Sequence, residues 1–147
     1  MNLLSRRSLL AMAAVVDVAL HARPAPVAAR ALSARHVLPP RHLETLLQTL
    51  VRAKILKGVR GPRGGYELAR ERRRISAGDI VRAVMSEGEA EATPESRLVC
   101  EVINPLLNAP VEAFLRELDG LSVDEMCRRA EAGAVFDETT GAGDFTI

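Results

Sequence analysis

The sequence predicts a mainly α-helical fold that carries one small β-hairpin. Apolar residues make up 48% of the 147 residues but aromatic residues only 3%, so the core must be built from aliphatic side chains, which suit packed helices. Several segments repeat their apolar residues with the helical period. One glycine- and proline-rich stretch separates two short apolar runs, which is typical of a hairpin. The length suits one domain with an additional element.

The first helix is predicted over residues 5–21. Ser5 is a suitable N-cap, and Pro24 and Pro26 end the segment. The apolar face of this helix is formed by Leu9, Met12, Ala13, Val16 and Leu20.

The same segment also resembles a twin-arginine export signal, because Arg6 and Arg7 precede an apolar run. Asp17, however, places a charge inside that run, and the apolar residues follow a helical face. The chain has no run of about 18 apolar residues, so we expect no membrane span. We therefore predict a helix of the folded domain and keep export as the alternative.

Two further helices are predicted on either side of a proline turn. The second begins near Pro26 and reaches about Ala34, and the paired Pro39 and Pro40 then stop a helix and suit the start of a new one. The third extends from Pro40 to about Ala53. Its apolar stripe is Leu43, Leu46, Leu47 and Leu50, and its other face carries Arg41, His42, Glu44, Thr45 and Gln48. This arrangement predicts a helix-turn-helix.

A hairpin is predicted directly after the third helix. Glycine and proline in the sequence Gly61-Pro62-Arg63-Gly64-Gly65 supply the backbone angles of a tight turn. We expect Val59, Tyr66 and Leu68 to form its apolar side, with Arg60 and Arg63 at its tip. The stretch is not a phosphate-binding P-loop, which needs Gly-Lys-Ser/Thr at the start of a helix. Helix-turn-helix and hairpin together predict a winged helix-turn-helix.

The rest of the chain is predicted to be helical around an acidic loop. A fourth helix covers residues 75–85, with Ser76 as its cap and Asp79 at the third helical position. Residues 97–118 are apolar with helical period, but Pro105 and Pro110 must kink or split them. A short final helix begins near Leu121. The predicted division is 1–85 for the winged helix, 86–96 for a flexible acidic loop, 97–130 for the long and final helices, and 131–147 for a mobile tail.

Charge is distributed unevenly along the chain. Residues 52–74 contain nine basic and two acidic residues, a net charge of +7, whereas residues 87–101 have a net charge of −4. Such a basic segment is typical of a face that binds a polyanion, although charge alone also fits a solvated face without a partner. In a winged helix the third helix enters the major groove of DNA and wing arginines reach the minor groove. We expect Arg70 and Arg72 to Arg74 to neutralise phosphates.

Two motifs carry a family resemblance. The sequence Val-Arg-Gly-Pro-Arg-Gly-Gly-Tyr-Glu-Leu-Ala-Arg at 59–70 and Ile-Ser-Ala-Gly-Asp-Ile-Val-Arg-Ala-Val at 75–84 resemble the Rrf2 family of bacterial winged-helix regulators. The resemblance covers roughly residues 1–130. It implies a winged-helix domain and a long C-terminal dimerisation helix exchanged between protomers. We therefore expect a cytoplasmic homodimer that binds an inverted-repeat operator in double-stranded DNA, more often as a repressor.

The resemblance also assigns DNA-binding residues by position. The positions at which relatives read the major groove are occupied by Pro39, Pro40, Arg41, His42 and Glu44. Arg60 lies where relatives insert a wing arginine, and we add Arg63 as a second wing contact. The family usually has small hydroxyl residues at the start of the recognition helix. Because Pro40 and Arg41 stand there in this chain, we expect a different base preference.

The sensor of the family is an iron–sulfur cluster held mostly by three closely spaced cysteines before the dimerisation helix. Residues 86–104 of this chain contain Cys100 alone and no histidine, whereas a cluster generally needs about four protein ligands. We therefore predict no metal and no cofactor. Cys100 is either a packing thiol or a single-thiol redox sensor. Cys127 is predicted to pack in the interior, and two cysteines without a CxxC pair fit a reducing cytosol.

Other function classes are less well supported. His21 and His36 show no metal-ligand spacing and are predicted to be structural. No combination of nucleophile and base is visible, so we predict that the chain is not an enzyme. The alternative to a DNA-binding regulator is a protein-interaction adaptor with a degenerate winged helix, and an exported enzyme is a more distant one.

Overall fold

The computed structural model describes residues 3–88 and 94–136. Six α-helices and one antiparallel hairpin form the described part of the chain, together with a 3₁₀ turn at Arg72–Arg74 and a π-helical segment at Val99–Ile103. The prediction of a mainly helical fold with one hairpin is confirmed. In chain order the elements are α1 (Arg6–His21), α2 (Ala29–His36), α3 (Pro40–Arg52), β1 (Leu56–Val59), β2 (Gly65–Leu68), α4 (Ala77–Gly88), α5 (Asn104–Asp119) and α6 (Val123–Ala132).

The first helix lies at the centre of the core. Ser5 caps α1 as predicted, because its Oγ accepts a hydrogen bond from the Ser8 amide at 3.1 Å. The helix contacts α3, α4, α6 and β2. The predicted leucine stripe of α3 is buried against this core. None of the helices in residues 3–88 and 94–136 is long and apolar enough to cross a membrane.

The second helix begins at Ala29 and not at Pro26, so that predicted boundary was wrong. Val27 is extended because it pairs with Tyr66 of β2. The Val27 amide donates to the Tyr66 carbonyl at 3.0 Å, and the Tyr66 amide donates back at 2.8 Å. A Cβ on the neighbouring Gly65 would overlap the Val27 carbonyl oxygen, so this close approach requires glycine.

The hairpin register decides which side chains face the core. Leu56 pairs with Leu68 and Gly58 with Tyr66, so these residues share one face. Leu56 is buried, whereas Val59 lies on the opposite face and is 37% exposed. The prediction that Val59 lies on the apolar side of the hairpin was therefore wrong, because side chains alternate between the two faces of a strand.

The fourth helix begins with the predicted cap. The Ser76 hydroxyl accepts from the Asp79 amide at 3.0 Å, and the Asp79 carboxylate accepts from the Ser76 amide at 3.1 Å. The helix continues to Gly88, three residues into the predicted acidic loop. Residues 89–93 of that loop and 137–147 of the predicted tail lie outside the described residues.

Residues 97–119, which include the π-helical segment and α5, form a long helical arm that leads back to the domain. The predicted split of the apolar segment takes the form of a change in helix type, from the π-helical segment to α5, with Pro105 in the first turn of α5 and Pro110 inside it. The end of the arm contacts the domain, where Leu115 is buried and Asp119 pairs with Arg82 at 2.6 Å. The short final helix is longer than predicted and forms α6.

Candidate nucleic-acid interface

The start of α3 is exposed and rich in polar side chains. The chain turns out of α2 at Val37, which has a left-handed φ of 50°, and α3 then begins at Pro40. Among the predicted contact residues Arg41, His42 and Glu44 are all exposed, as are Pro39 and Pro40. The leucines on the opposite face hold the helix against α1. The arrangement leaves the N-terminal end of α3 free to enter a groove.

The wing carries the other predicted contacts. Arg60 and Arg63 are exposed in the loop between β1 and β2, and β1 lies against α3. Gly61 in this loop has a φ of 118°, and a Cβ on Gly64 would overlap the Val59 carbonyl oxygen. The tight turn that presents both arginines therefore depends on glycine at these positions.

Most of the basic segment is paired within the chain. Among residues 52–74, the side chains that form ion pairs in the described structure are Arg52, Lys57, Arg70, Arg72, Arg73 and Arg74. Arg72, for example, lies 2.8 Å from Asp124 of α6. Only Lys54, Arg60 and Arg63 of this segment have no acidic partner within the described residues. Arg70 pairs with Asp79 of α4 and Arg72 with Asp124 of α6, whereas Arg73 and Arg74 remain 83% and 80% exposed. The expected role of these arginines at phosphates therefore stays a prediction.

Hydrogen bonds and ion pairs that were not predicted from the sequence connect the end of α4 to the recognition helix, α3. Glu87 accepts hydrogen bonds from Arg7 of α1 at 2.8 Å and from the buried Thr49 of α3, and it lies 3.1 Å from Arg52. The prediction that Glu87 belongs to a flexible acidic loop is therefore wrong, because α4 extends to Gly88. The polar Thr49 within an apolar helix face was the one available signal for a buried partner.

The acidic residue inside the first helix is a second buried charge. Asp17 is fully buried and receives two hydrogen bonds from Arg35, at 2.6 and 2.7 Å. Its carboxylate also lies 2.8 Å from His36 Nε2 and 3.1 Å from His21 Nδ1. Burial alone would raise the pKa of Asp17, but the hydrogen bonds and charges of its partners bring that pKa below its ordinary value. Asp17 therefore joins α1 to α2 as an ionised carboxylate.

The two cysteines lie in different environments. Cys127 is fully buried in the core, as predicted, and burial raises the pKa of its thiol against the opposing effect of Arg72. Cys100 is exposed on the π-helical segment, with its sulfur 3.9 Å from the Glu95 carboxylate. Cys100 is therefore not part of the core of the described structure.

The residues present do not fit an iron–sulfur cluster. The stretch 86–104 supplies one thiol and no imidazole, and the Asn104 amide donates to Glu95 at 2.9 Å. In the described part of the chain no three side chains of His, Cys, Asp or Glu are grouped to hold a metal ion. A cluster generally needs about four protein ligands.

Comparisons with known proteins agree on one family. The profile of the Rrf2 family, described as iron-dependent transcriptional regulators, matches residues 4–129. The HTH-type transcriptional regulator IscR of Aliivibrio salmonicida is 31% identical over 134 residues, which is 86% of this chain and 78% of that protein. IscR of Vibrio atlanticus is 30% identical over 115 residues, 74% of this chain and 66% of its own length.

Solved structures show the same fold. The structure of T. potens IscR has a TM-score of 0.69 at 29% identity and covers 88% of this chain and 89% of its own. CymR of B. subtilis, at 22% identity and a TM-score of 0.67, covers 88% of this chain and 98% of its own and supports the fold alone. The winged-helix architecture, the motifs at 59–70 and 75–84 and these matches converge. The chain belongs to the Rrf2 family of DNA-binding transcriptional regulators and is not an enzyme.

Proposed function

We propose that the protein is a cytoplasmic repressor that binds an inverted-repeat operator as a homodimer and works without an iron–sulfur cluster. The observation that carries the DNA-binding part is the distribution of unpaired charge. Arg60 and Arg63 on the wing and Arg41 on α3 have no acidic partner in the described structure, whereas most neighbouring basic side chains do. Cations that are exposed and uncompensated are the ones available to a polyanion.

Each proposed contact follows from the chemistry of its side chain. Arg41 can donate two hydrogen bonds to a guanine, and Glu44 can accept from a cytosine amino group. His42 lies beside them, and Pro39 and Pro40 set the direction in which the helix enters the groove. On the wing, Arg60 would enter the minor groove and Arg63 would bind phosphate.

The homodimer is proposed from an uncovered apolar surface on the helical arm. Leu106 on α5 is 71% exposed and Leu98 just before the π-helical segment 60%. The exposed apolar residues of the arm are Leu98, Val102, Ile103, Leu106, Leu107 and Val111. Monomeric proteins seldom leave such a surface in water, and two arms related by a two-fold axis would cover each other. A two-fold dimer requires an inverted repeat with half-sites separated by whole helical turns.

Repression is the simpler effect on transcription for such a dimer. If the protein binds DNA without a cofactor, the operator is occupied by default and an overlapping promoter is obstructed. A genomic pull-down with sequencing would identify the operator, and transcript levels after deletion of the gene would give the sign of regulation. Reduced transcripts from operator-bearing genes in the deletion strain would contradict repression.

Loss of a wing arginine is expected to weaken operator binding and its dependence on salt. In a dimer, Arg63→Ala removes two phosphate contacts, so the slope of log affinity against log salt should become shallower by about two. Arg60→Ala should weaken binding by roughly tenfold. The measurement is fluorescence anisotropy of labelled operator over a salt series. Arg129→Ala is the matched control, because this exposed arginine pairs with Glu125 on α6, outside α3 and the wing. A wild-type affinity that does not change with salt would favour the adaptor alternative.

The protein is expected to be colourless and to bind its operator without iron. Anaerobic purification followed by visible absorption and iron and sulfide analysis tests this directly, because the chain offers only Cys100 where a cluster would be held. Stoichiometric iron and sulfide would show that ligands outside this stretch complete a site. Cys100→Ser, compared with wild type before and after peroxide, separates the two roles left for the thiol. A peroxide effect on DNA affinity in wild type alone would identify a redox sensor.

A further inference from the structure

A cavity of about 810 Å³ lies between α1, α2 and α6, away from the recognition helix and the wing. Most of its wall is apolar, and the polar side chains gather around the buried Asp17. The polar lining consists of His21, Arg35 and His36, and the main apolar lining of Met12, Val16, Met126, Ala130 and Phe136. A volume of several hundred cubic ångström with a few convergent polar groups is typical of a small-molecule site.

Asp17 determines which ring nitrogens of the two histidines carry hydrogen. His21 Nδ1 lies 2.9 Å from the Asp17 carbonyl oxygen, and His36 Nε2 lies 2.8 Å from the Asp17 carboxylate. Neither the carbonyl oxygen nor the ionised carboxylate can donate, so both ring nitrogens must be the donors. In the neutral rings the remaining nitrogens, Nε2 of His21 and Nδ1 of His36, are therefore acceptors. Neither has a hydrogen-bond partner within residues 3–88 and 94–136.

Arg35 contributes hydrogen-bond donors to the same end of the cavity. Its Nε and Nη2 donate to Asp17, whereas its Nη1 has no partner in the described structure. About a third of the Arg35 side chain is exposed, at 34%. The polar end of the cavity thus offers free N–H donors from one guanidinium and, with both rings neutral, free acceptors on two imidazoles. A hydroxyl group fits this combination, because its oxygen accepts from the guanidinium and its hydrogen donates to an imidazole nitrogen.

The apolar walls favour an aromatic body. The Phe136 ring lies edge-on to His21 with ring centroids 4.9 Å apart, and Met12 and Met126 bring two thioethers to the same cavity. Sulfur–aromatic and edge-to-face contacts both favour an aromatic ring over an alkyl chain. We propose that the cavity binds a small aromatic alcohol of the phenol type, with its hydroxyl between Arg35 and the histidines. This inference goes beyond DNA binding and is tested without DNA, so the two can fail separately.

The test uses the full chain labelled with ¹³C at the methionine methyl groups. Para-cresol is titrated into the protein, with toluene and para-toluate as matched probes that lack the hydroxyl or replace it with a carboxylate. We expect saturable NMR shifts at Met12 and Met126 but not at Met85, which lies on α4 outside the cavity. The affinity for para-cresol should exceed that for either matched probe at least tenfold. Equal affinities for the three probes, or equal shifts at Met12, Met85 and Met126, would overturn the proposal.

Two variants on α6 locate the site. Ala130→Phe fills the cavity and should abolish the shifts at Met12, whereas Ala132→Phe adds the same side chain to an exposed position of the same helix and should not. Light scattering of both variants is measured alongside. Unchanged binding in Ala130→Phe would place the ligand elsewhere, and its conversion to a monomer would show that a second copy occupies the cavity. If this variant does not fold, Ala13→Leu fills the cavity from α1, and the comparison of probes on the wild-type protein needs no variant.

Discussion

The variant Leu106→Glu is expected to convert the proposed dimer into monomers of 15.9 kDa and to abolish tight operator binding. In the proposed dimer this leucine is covered by the partner's arm, so the substitution buries an unpaired carboxylate in each copy, at a cost of several kcal/mol. A monomer binds one half-site at a time, which lowers operator affinity by roughly 100-fold or more. Sedimentation or light scattering gives the mass, and operator anisotropy gives the affinity.

A matched control lies on the same helix. Asn108 is exposed on the polar side of α5, four residues before Glu112, so Asn108→Glu introduces the same charge away from the apolar face. This control should remain dimeric and bind the operator. A Leu106→Glu protein that is still a dimer would show that the arm is covered in another way, and the inverted-repeat prediction would lose its basis.

Removal of the buried carboxylate is expected to lower the free energy of unfolding by about 3 kcal/mol in the variant Asp17→Asn. This value is at the low end for one partner of a buried ion pair, because Arg35 is 34% exposed and can turn toward water. Urea unfolding followed by circular dichroism measures it. The control is Asp119→Asn, which breaks the exposed pair with Arg82 and should lower the stability much less than Asp17→Asn does. Equal decreases in the free energy of unfolding of the two variants would mean that burial does not strengthen the Asp17 contacts.

The acid dependence of that stability has a definite sign. The pKa of Asp17 is lower in the folded chain than in the unfolded one, so its contribution is fully present above about pH 4. The contribution is lost as the pH falls from there through the folded pKa, because protonation then accompanies unfolding. Wild type and Asp17→Asn should therefore converge in stability at acidic pH. A difference that stays constant down to the lowest pH at which the protein remains folded would contradict the assignment.

Features set by neighbouring residues could be predicted from the sequence. The caps at Ser5 and Ser76 depend on residues three positions away, and both are confirmed. The leucine stripe of α3 follows from the helical period alone. The start of α2 could not be predicted, because the extended conformation at Val27 depends on pairing with Tyr66, which lies far along the chain. The side of the hairpin that faces the core likewise depends on a register that only the folded domain reveals.

The sequence predicts which residues of the candidate site are exposed, but not which charged side chains form ion pairs. Exposure of Arg41, His42, Arg60 and Arg63 follows from their places at a helix start and a turn. Summing charges along 52–74 treats each cation as free, whereas ion pairs form in three dimensions: the partner of Arg72 and Arg73 is Asp124, about fifty residues later. The contacts of Asp17 were hidden for the same reason, since a charge in an apolar helix does not disclose its partners.

The internal pairing of the basic segment has a consequence for how the protein finds its operator in a chromosome. Every non-specific stretch of DNA competes for the protein through phosphate contacts, and a bacterial genome offers millions of such stretches. Because Lys54, Arg60 and Arg63 are the unpaired cations of that segment among the described residues, we expect this competition to be weaker than the summed charge of +7 indicates. Few copies of the protein would then be bound at non-specific sites along the chromosome. Occupancy of the operator would depend mainly on base contacts by α3, so a small number of molecules per cell could keep it filled.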